Sequence, residues 1–128
     1  MTIRVVVADD QAPFRRAVRM LLARTDGFEL VGEAMSGEEA VSLAVSLEPD
    51  LVLMDIRMRG IGGIEAARTI HHRSPCTATV LVSTYRAADL PAAIHGCGAV
   101  GYLHKSDVDA ASLRRLYAAA LSRRRGRG

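Results

Sequence analysis

Apolar residues in this chain switch repeatedly between short continuous runs and helical stripes. Ile3–Ala8 (IRVVVA) is rich in β-branched residues and apolar on both faces, as expected of a strand buried in a parallel sheet. Pro13 suits the opening turn of a helix, and Phe14, Val18, Leu21 and Leu22 then recur at i, i+4, i+7 and i+8 to give it one buried stripe. Phe28–Ala34 (FELVGEA) alternates more strongly, which predicts an edge strand. Ser36 and Glu39 form an S-x-x-E capping box, and Ala40, Leu43, Ala44 and Leu47 supply the second helix's apolar face, with Pro49 as its stop.

The alternation continues to the end of the chain. Residues 51–54 (LVLM) predict a third strand that ends directly in Asp55. Gly60, Gly62 and Gly63 mark a loop, and Ile64, Ala67 and Ile70 a third helix. Residues 79–82 (TVLV) predict a fourth strand, 90–94 a weak fourth helix and 99–103 a short fifth strand. Leu113, Leu116, Tyr117, Ala120 and Leu121 stripe a fifth helix, expected to dissolve into the closing Arg-Arg-Arg-Gly-Arg-Gly. Strands separated by helices of this length imply right-handed crossovers, hence an α/β, doubly wound parallel sheet with helices on both faces.

Composition narrows the setting. The 128 residues fit one domain, and 49% hydrophobic with 24% charged residues is ordinary for a globular protein. The longest apolar runs fall far short of a membrane span. The first four residues lead straight into a strand with no signal peptide, so a cytoplasmic location is expected. Cys76 and Cys97 have no metal-ligand spacing and are expected to be free thiols. The net charge of +3 is uneven: taking away the four tail arginines Arg123, Arg124, Arg125 and Arg127 leaves −1 for the body. No basic face for nucleic acid is therefore expected. Among 17 lysines and arginines, Lys105 is the single lysine, as if a compact, mobile ammonium were needed there.

In an open parallel sheet, ligands bind at the carboxyl ends of the strands. The first strand ends in Asp9-Asp10, the third in Asp55, the fourth in Ser83-Thr84 and the fifth in His104-Lys105. Three carboxylates close together either shift their pKa values upward or recruit a cation, and an all-oxygen cluster suits a hard divalent ion such as Mg²⁺. A carboxylate beside such an ion can act as a nucleophile toward phosphorus, with Ser83 and Lys105 placed to meet the charged oxygens. Taken singly, each residue has a plainer job. Asp10, Ser83 or Thr84 could cap a helix, Asp55 could be a turn residue, and Lys105 a surface charge.

Five separated segments, VVADD at 6–10, LMDIRM at 53–58, GIE at 63–65, VLVSTY at 80–85 and GAVGYLHK at 98–105, resemble a bacterial response-regulator receiver domain of the NarL/FixJ type. The resemblance spans residues 2–122, so residues 1–122 are read as a receiver domain and 123–128 as a basic tail or start of a linker. It implies a five-stranded sheet of order 2-1-3-4-5 with five helices. It also implies that Asp55 accepts phosphate from a sensor histidine kinase. Asp9, Asp10, Asp55 and the Arg57 backbone carbonyl would hold Mg²⁺, and Ser83 and Lys105 would contact the phosphoryl group. Tyr102 would swing inward when Ser83 moves, changing the face of the fourth helix, fifth strand and fifth helix. Dimerisation on activation and transcriptional control through a DNA-binding domain outside this sequence are further implications.

The chain departs from the family pattern where Arg59, not proline, follows Met58, so this glycine-rich loop is expected to be more mobile. Two other readings compete. One is a pseudo-receiver, an interaction module that takes no phosphate. The other is a Mg²⁺-dependent phosphohydrolase, which would want a second Asp where Arg57 stands.

Overall fold

The computed structural model describes residues 1–127. Five parallel strands, β1 (Ile3–Ala8), β2 (Phe28–Ala34), β3 (Leu51–Asp55), β4 (Ala78–Ser83) and β5 (Gly101–His104), pair in the order β2-β1-β3-β4-β5. Four α-helices connect or follow them: α1 (Ala12–Ala23), α2 (Gly37–Leu47), α3 (Gly62–Arg73) and α4 (Ala110–Arg127). The expected doubly wound sheet and its strand order are both present, and β2 is the edge strand that its alternating pattern predicts.

Period-two side-chain alternation divides the core between the two sheet faces. Val5, Val7, Leu51, Leu53, Val80 and Val82 pack on one side with Val18 and Leu22 of α1 and Leu113 and Tyr117 of α4. Val6, Ala8, Val52, Met54 and Leu81 pack on the other with the alanines of α2 and α3. Small residues let those helices lie close to the sheet. Gly63 is the extreme case, because a Cβ there would fall 1.9 Å from the carbonyl oxygen of Asp55.

The expected fourth helix, at 90–94, is absent among the described residues, which leaves four α-helices rather than five. Between β4 and β5 the chain makes two three-residue 3₁₀ turns, Ala87–Asp89 and Ala92–Ile94. Pro91 explains the break: it offers no amide hydrogen and holds Leu90 out of the α region. Gly96 and Gly98, both at positive φ, then turn the chain into β5. The last helix also differs from expectation. Instead of dissolving at the arginines it continues to Arg127, and Arg124 Nη1 donates to the Cys76 carbonyl at 3.0 Å. Arginine is a good helix former, and positive charge in the last turns favours the helix dipole. Ser36 accepts from the Glu39 amide at 3.1 Å as the capping box requires, and Cys76 and Cys97 are both free thiols. Among the described residues, no helix is long and apolar enough to cross a membrane.

Residues 87–96 have little secondary structure to protect their amides, and the side chains of Ala88, Asp89, Ala92 and Ala93 are exposed. Their backbone amides are expected to exchange with deuterium well before those of β3 and β4. Protection of this segment equal to that of β3, measured by mass spectrometry, would contradict the assignment.

Candidate functional site at the strand ends

Parallel register delivers the acidic residues to one place. β1 runs alongside β3 with Ala8 opposite Met54, so Asp9 and Asp55 leave adjacent central strands side by side. Asp9 is fully buried and Asp55 is 6% exposed, while Asp10 is half-buried at the rim. One carboxylate oxygen from each of Asp9, Asp10 and Asp55 lies within 4.8 Å of the other two. Lys105, just past β5, reaches over the rim. Its Nζ is 2.5 Å from Asp9 Oδ2 and 3.7 Å from Asp55 Oδ2.

The electrostatics follow from that crowding. Burial, and then the Asp9 carboxylate, push Asp55 up to about 6, with Asp10 adding to the effect; Lys105 and a hydrogen bond from the Arg57 amide only partly offset them. Asp9 is braced from both ends. Its Oδ1 accepts from the Gln11 amide at 2.8 Å, and its carbonyl accepts from Arg15 Nη1 at 2.7 Å. Asp10 does not cap α1: the N-cap position is Gln11, without a side-chain cap.

Ser83 is buried at the end of β4, and its Oγ accepts from the Tyr85 amide at 3.0 Å, closing a local turn. Tyr102 is half-buried on β5. Its hydroxyl donates to the Tyr85 carbonyl and lies 3.5 Å from the Ser83 carbonyl, so its ring is anchored to the loop that carries Ser83. Burial pushes the Tyr102 phenol up, which keeps it a donor. The amide of Arg57 lies 3.4 Å from Asp55 Oδ1, and its guanidinium stacks 4.3 Å from the Tyr85 ring centroid.

Several residues at the site escaped the sequence reading. Phe14, placed only in the apolar stripe of α1, turns its ring toward Lys105, whose Nζ is 4.7 Å from the centroid. A charge held over a ring face is stabilised there, so Phe14 helps aim the ammonium. His104 bridges Thr84 O at 2.9 Å and Ser106 at 2.7 Å, tying the end of β5 to the loop after β4. Its place directly before Lys105 was the only available signal. A cavity of about 590 Å³ opens elsewhere, lined by residues including His71, Leu81, Ile94, Tyr102 and Arg124, and holds none of the carboxylates.

An acidic rim with a lysine beside it, at the carboxyl ends of a 2-1-3-4-5 sheet, defines a class, and comparison with known proteins agrees with it. The model of the response regulator receiver domain family matches residues 5–117, and the chain belongs to that family. Over 103 residues it is 42% identical to response regulator GacA of Pseudomonas viridiflava, covering 80% of this chain and 48% of that protein. It is 38% identical to response regulator UvrY of Escherichia coli K12 over the same length, covering 47% of it. The chain thus spans about half the length of the curated relatives it matches. Among solved structures, a LuxR-family two-component response regulator from Aurantimonas sp. SI85-9A1 superposes with a TM-score of 0.83 at 30% identity, over 95% of this chain and 87% of that one. The receiver domain of the putative response regulator NarL from Mycobacterium tuberculosis does so with 0.81 at 31% identity, over 93% and 96%.

Two stability measurements test the electrostatics. Because the folded protein holds the Asp55 proton more tightly than an ordinary carboxylate of 3.8, stability falls as pH rises from about 4 to about 6, and ionised Asp55 costs stability above that. In EDTA at neutral pH, Asp55→Asn is expected to be more stable than the parent by on the order of 2 kcal/mol and to lose that pH dependence. Lys105→Met removes the cation beside fully buried Asp9 and is expected to cost about 3 kcal/mol in urea unfolding. No gain for Asp55→Asn, or no loss for Lys105→Met, would contradict the packing described.

Proposed function

We propose that this domain is a phosphorylation switch in which Asp55 takes a phosphoryl group from a phosphohistidine of a sensor kinase. The observation that carries the reading is the convergence of Asp9, Asp10 and Asp55 within 4.8 Å, with Lys105 beside them. Three oxygen donors of this kind fit a hard divalent cation, and Asp9, Asp10, Asp55 and the Arg57 backbone carbonyl would hold Mg²⁺. Bound there, it would neutralise charge on the phosphoryl oxygens.

The chain's own residues supply the rest. A carboxylate oxygen of Asp55 attacks phosphorus, the bond from phosphorus to the imidazole nitrogen breaks, and the imidazole leaves as the new acyl phosphate forms. Attack requires the ionised carboxylate, so an Asp55 raised toward 6 is competent at neutral pH and loses competence below it. The Lys105 ammonium, already 3.7 Å from Asp55 Oδ2, is placed to pair with the added oxygens. Ser83 can donate its hydroxyl to the phosphoryl group once it gives up the amide of Tyr85. That change would move the loop to which Tyr102 is anchored, biasing two arrangements of the surface made by residues 87–98, β5 and α4.

The domain spans about half the length of the GacA and UvrY response regulators it is similar to, and it would report to transcription through a DNA-binding domain outside this sequence and from the cytoplasm. Activation would favour a homodimer, with no direct nucleic-acid contact by this domain. A second reading, an interaction module that takes no phosphate, is favoured by one observation: Lys105 already lies 2.5 Å from Asp9 and supplies the cluster with a positive charge of its own.

Acetyl phosphate separates the two. With Mg²⁺ the protein is expected to gain one phosphate by intact mass, EDTA to prevent it, and Asp55→Asn to abolish it. Equal labelling of the Asn variant would refute Asp55 as acceptor, and no labelling of the parent would leave the pseudo-receiver.

A further inference from the structure

The loop from β3 to α3 lacks the proline that usually follows its methionine, yet it is held on both sides. Ile56 donates to the Val82 carbonyl of β4 at 3.0 Å, and Gly63 donates back to the Ile56 carbonyl at 2.9 Å. Arg59 forms a parallel bridge with Ser36, the residue that caps α2. The remaining tie comes from Glu38 in the first turn of α2. Its Oε1 accepts a hydrogen bond from the Ile61 amide at 2.9 Å.

This contact is built into the backbone. Ile61 occupies the N-cap of α3 and has no side-chain oxygen with which to serve the helix's unpaired amides, so a carboxylate from the neighbouring helix does so. Gly60 adopts φ +80°, and a Cβ there would lie 2.1 and 2.3 Å from the two Glu38 oxygens. The carboxylate therefore sits directly on the loop backbone, in space that only glycine leaves open. Behind it, a Cβ on Gly37 would meet Ile61 Cγ1 at 2.8 Å and the Gly62 carbonyl at 3.0 Å, so the start of α2 and the loop abut.

Arg57 lies between these anchors, with Ile56 tied to β4 before it and Arg59 and Ile61 tied to α2 after it. We propose that Glu38 is a positioning residue for the acceptor site: its carboxylate fixes the loop that carries the Arg57 carbonyl, and so sets how tightly the Asp9, Asp10 and Asp55 cluster holds a divalent cation. This rests on the receiver-site reading above. Glu39 provides the contrast, because it carries the same charge in the same turn of α2 and is exposed, while the loop's carboxylate contact is made by Glu38.

The test is a MgCl₂ titration of the full chain, followed by amide NMR shifts around Asp9, Asp55 and Arg57 with no phosphodonor. Glu38→Ala is expected to raise the half-saturating Mg²⁺ concentration about tenfold, the size typical for losing a group that orients a ligand. Glu38→Gln keeps an oxygen for the Ile61 amide and is expected to stay close to the parent, as is Glu39→Ala. In EDTA, Glu38→Ala is expected to speed exchange of the Ile61 amide with little change in melting temperature, since Glu38 is exposed. The proposal is overturned if Glu38→Ala titrates like the parent, or if Glu38→Gln or Glu39→Ala weakens binding as much, which would make the effect one of charge. If the parent itself shows no Mg²⁺ response, the receiver-site reading falls instead.

Discussion

Two carboxylates leave the tips of adjacent central strands and are taken out of water together, and the local architecture answers to that fact. Like charges about 4 Å apart repel by roughly 4 kcal/mol at an effective dielectric near 20. Asp9 is fully buried and Asp55 nearly so, so a positive charge has to be brought to them. The chain brings it from the far side of the sheet, where Lys105 follows β5, two strands away from β3. Phe14 supplies a ring face for the ammonium, and His104 fixes the backbone just before it. The residual mismatch appears as an Asp55 that holds its proton unusually well.

A second ring of contacts surrounds this centre and is made largely through backbone carbonyls. Tyr102, His104 and Ser83 each bond to a main-chain group in the 83–85 loop, so side chains on β5 register any movement of that loop. Arg57 joins the same loop from the β3 side by stacking on Tyr85. The acidic centre and the segment after β4 are thus linked by short, identifiable contacts.

Much of this was readable from the sequence because strand ends carry position. Once β1, β3, β4 and β5 are located, topology alone places Asp9, Asp10, Asp55, Ser83 and Lys105 on one rim. The contacts that arise between elements were not readable: Phe14 fits an ordinary apolar stripe, and nothing in the spacing joins Glu38 to Ile61, 23 residues on. The apolar spacing at 90–94 suggests a helix, but Pro91 falls inside it and leaves only a 3₁₀ turn. The arginine run is the converse case: its charge density suggests a helix end, while the helix propensity of arginine carries the last helix on to Arg127.

Gly63 gives the domain a direction of compliance. With the first turn of α3 butted against the peptide of Asp55 and no slack between them, that flank behaves as a rigid strut. The opposite flank, after β4, is strung from two single turns around a proline and two glycines. A load applied at the carboxylate is therefore taken up mostly on the softer side, because deformation concentrates where stiffness is least.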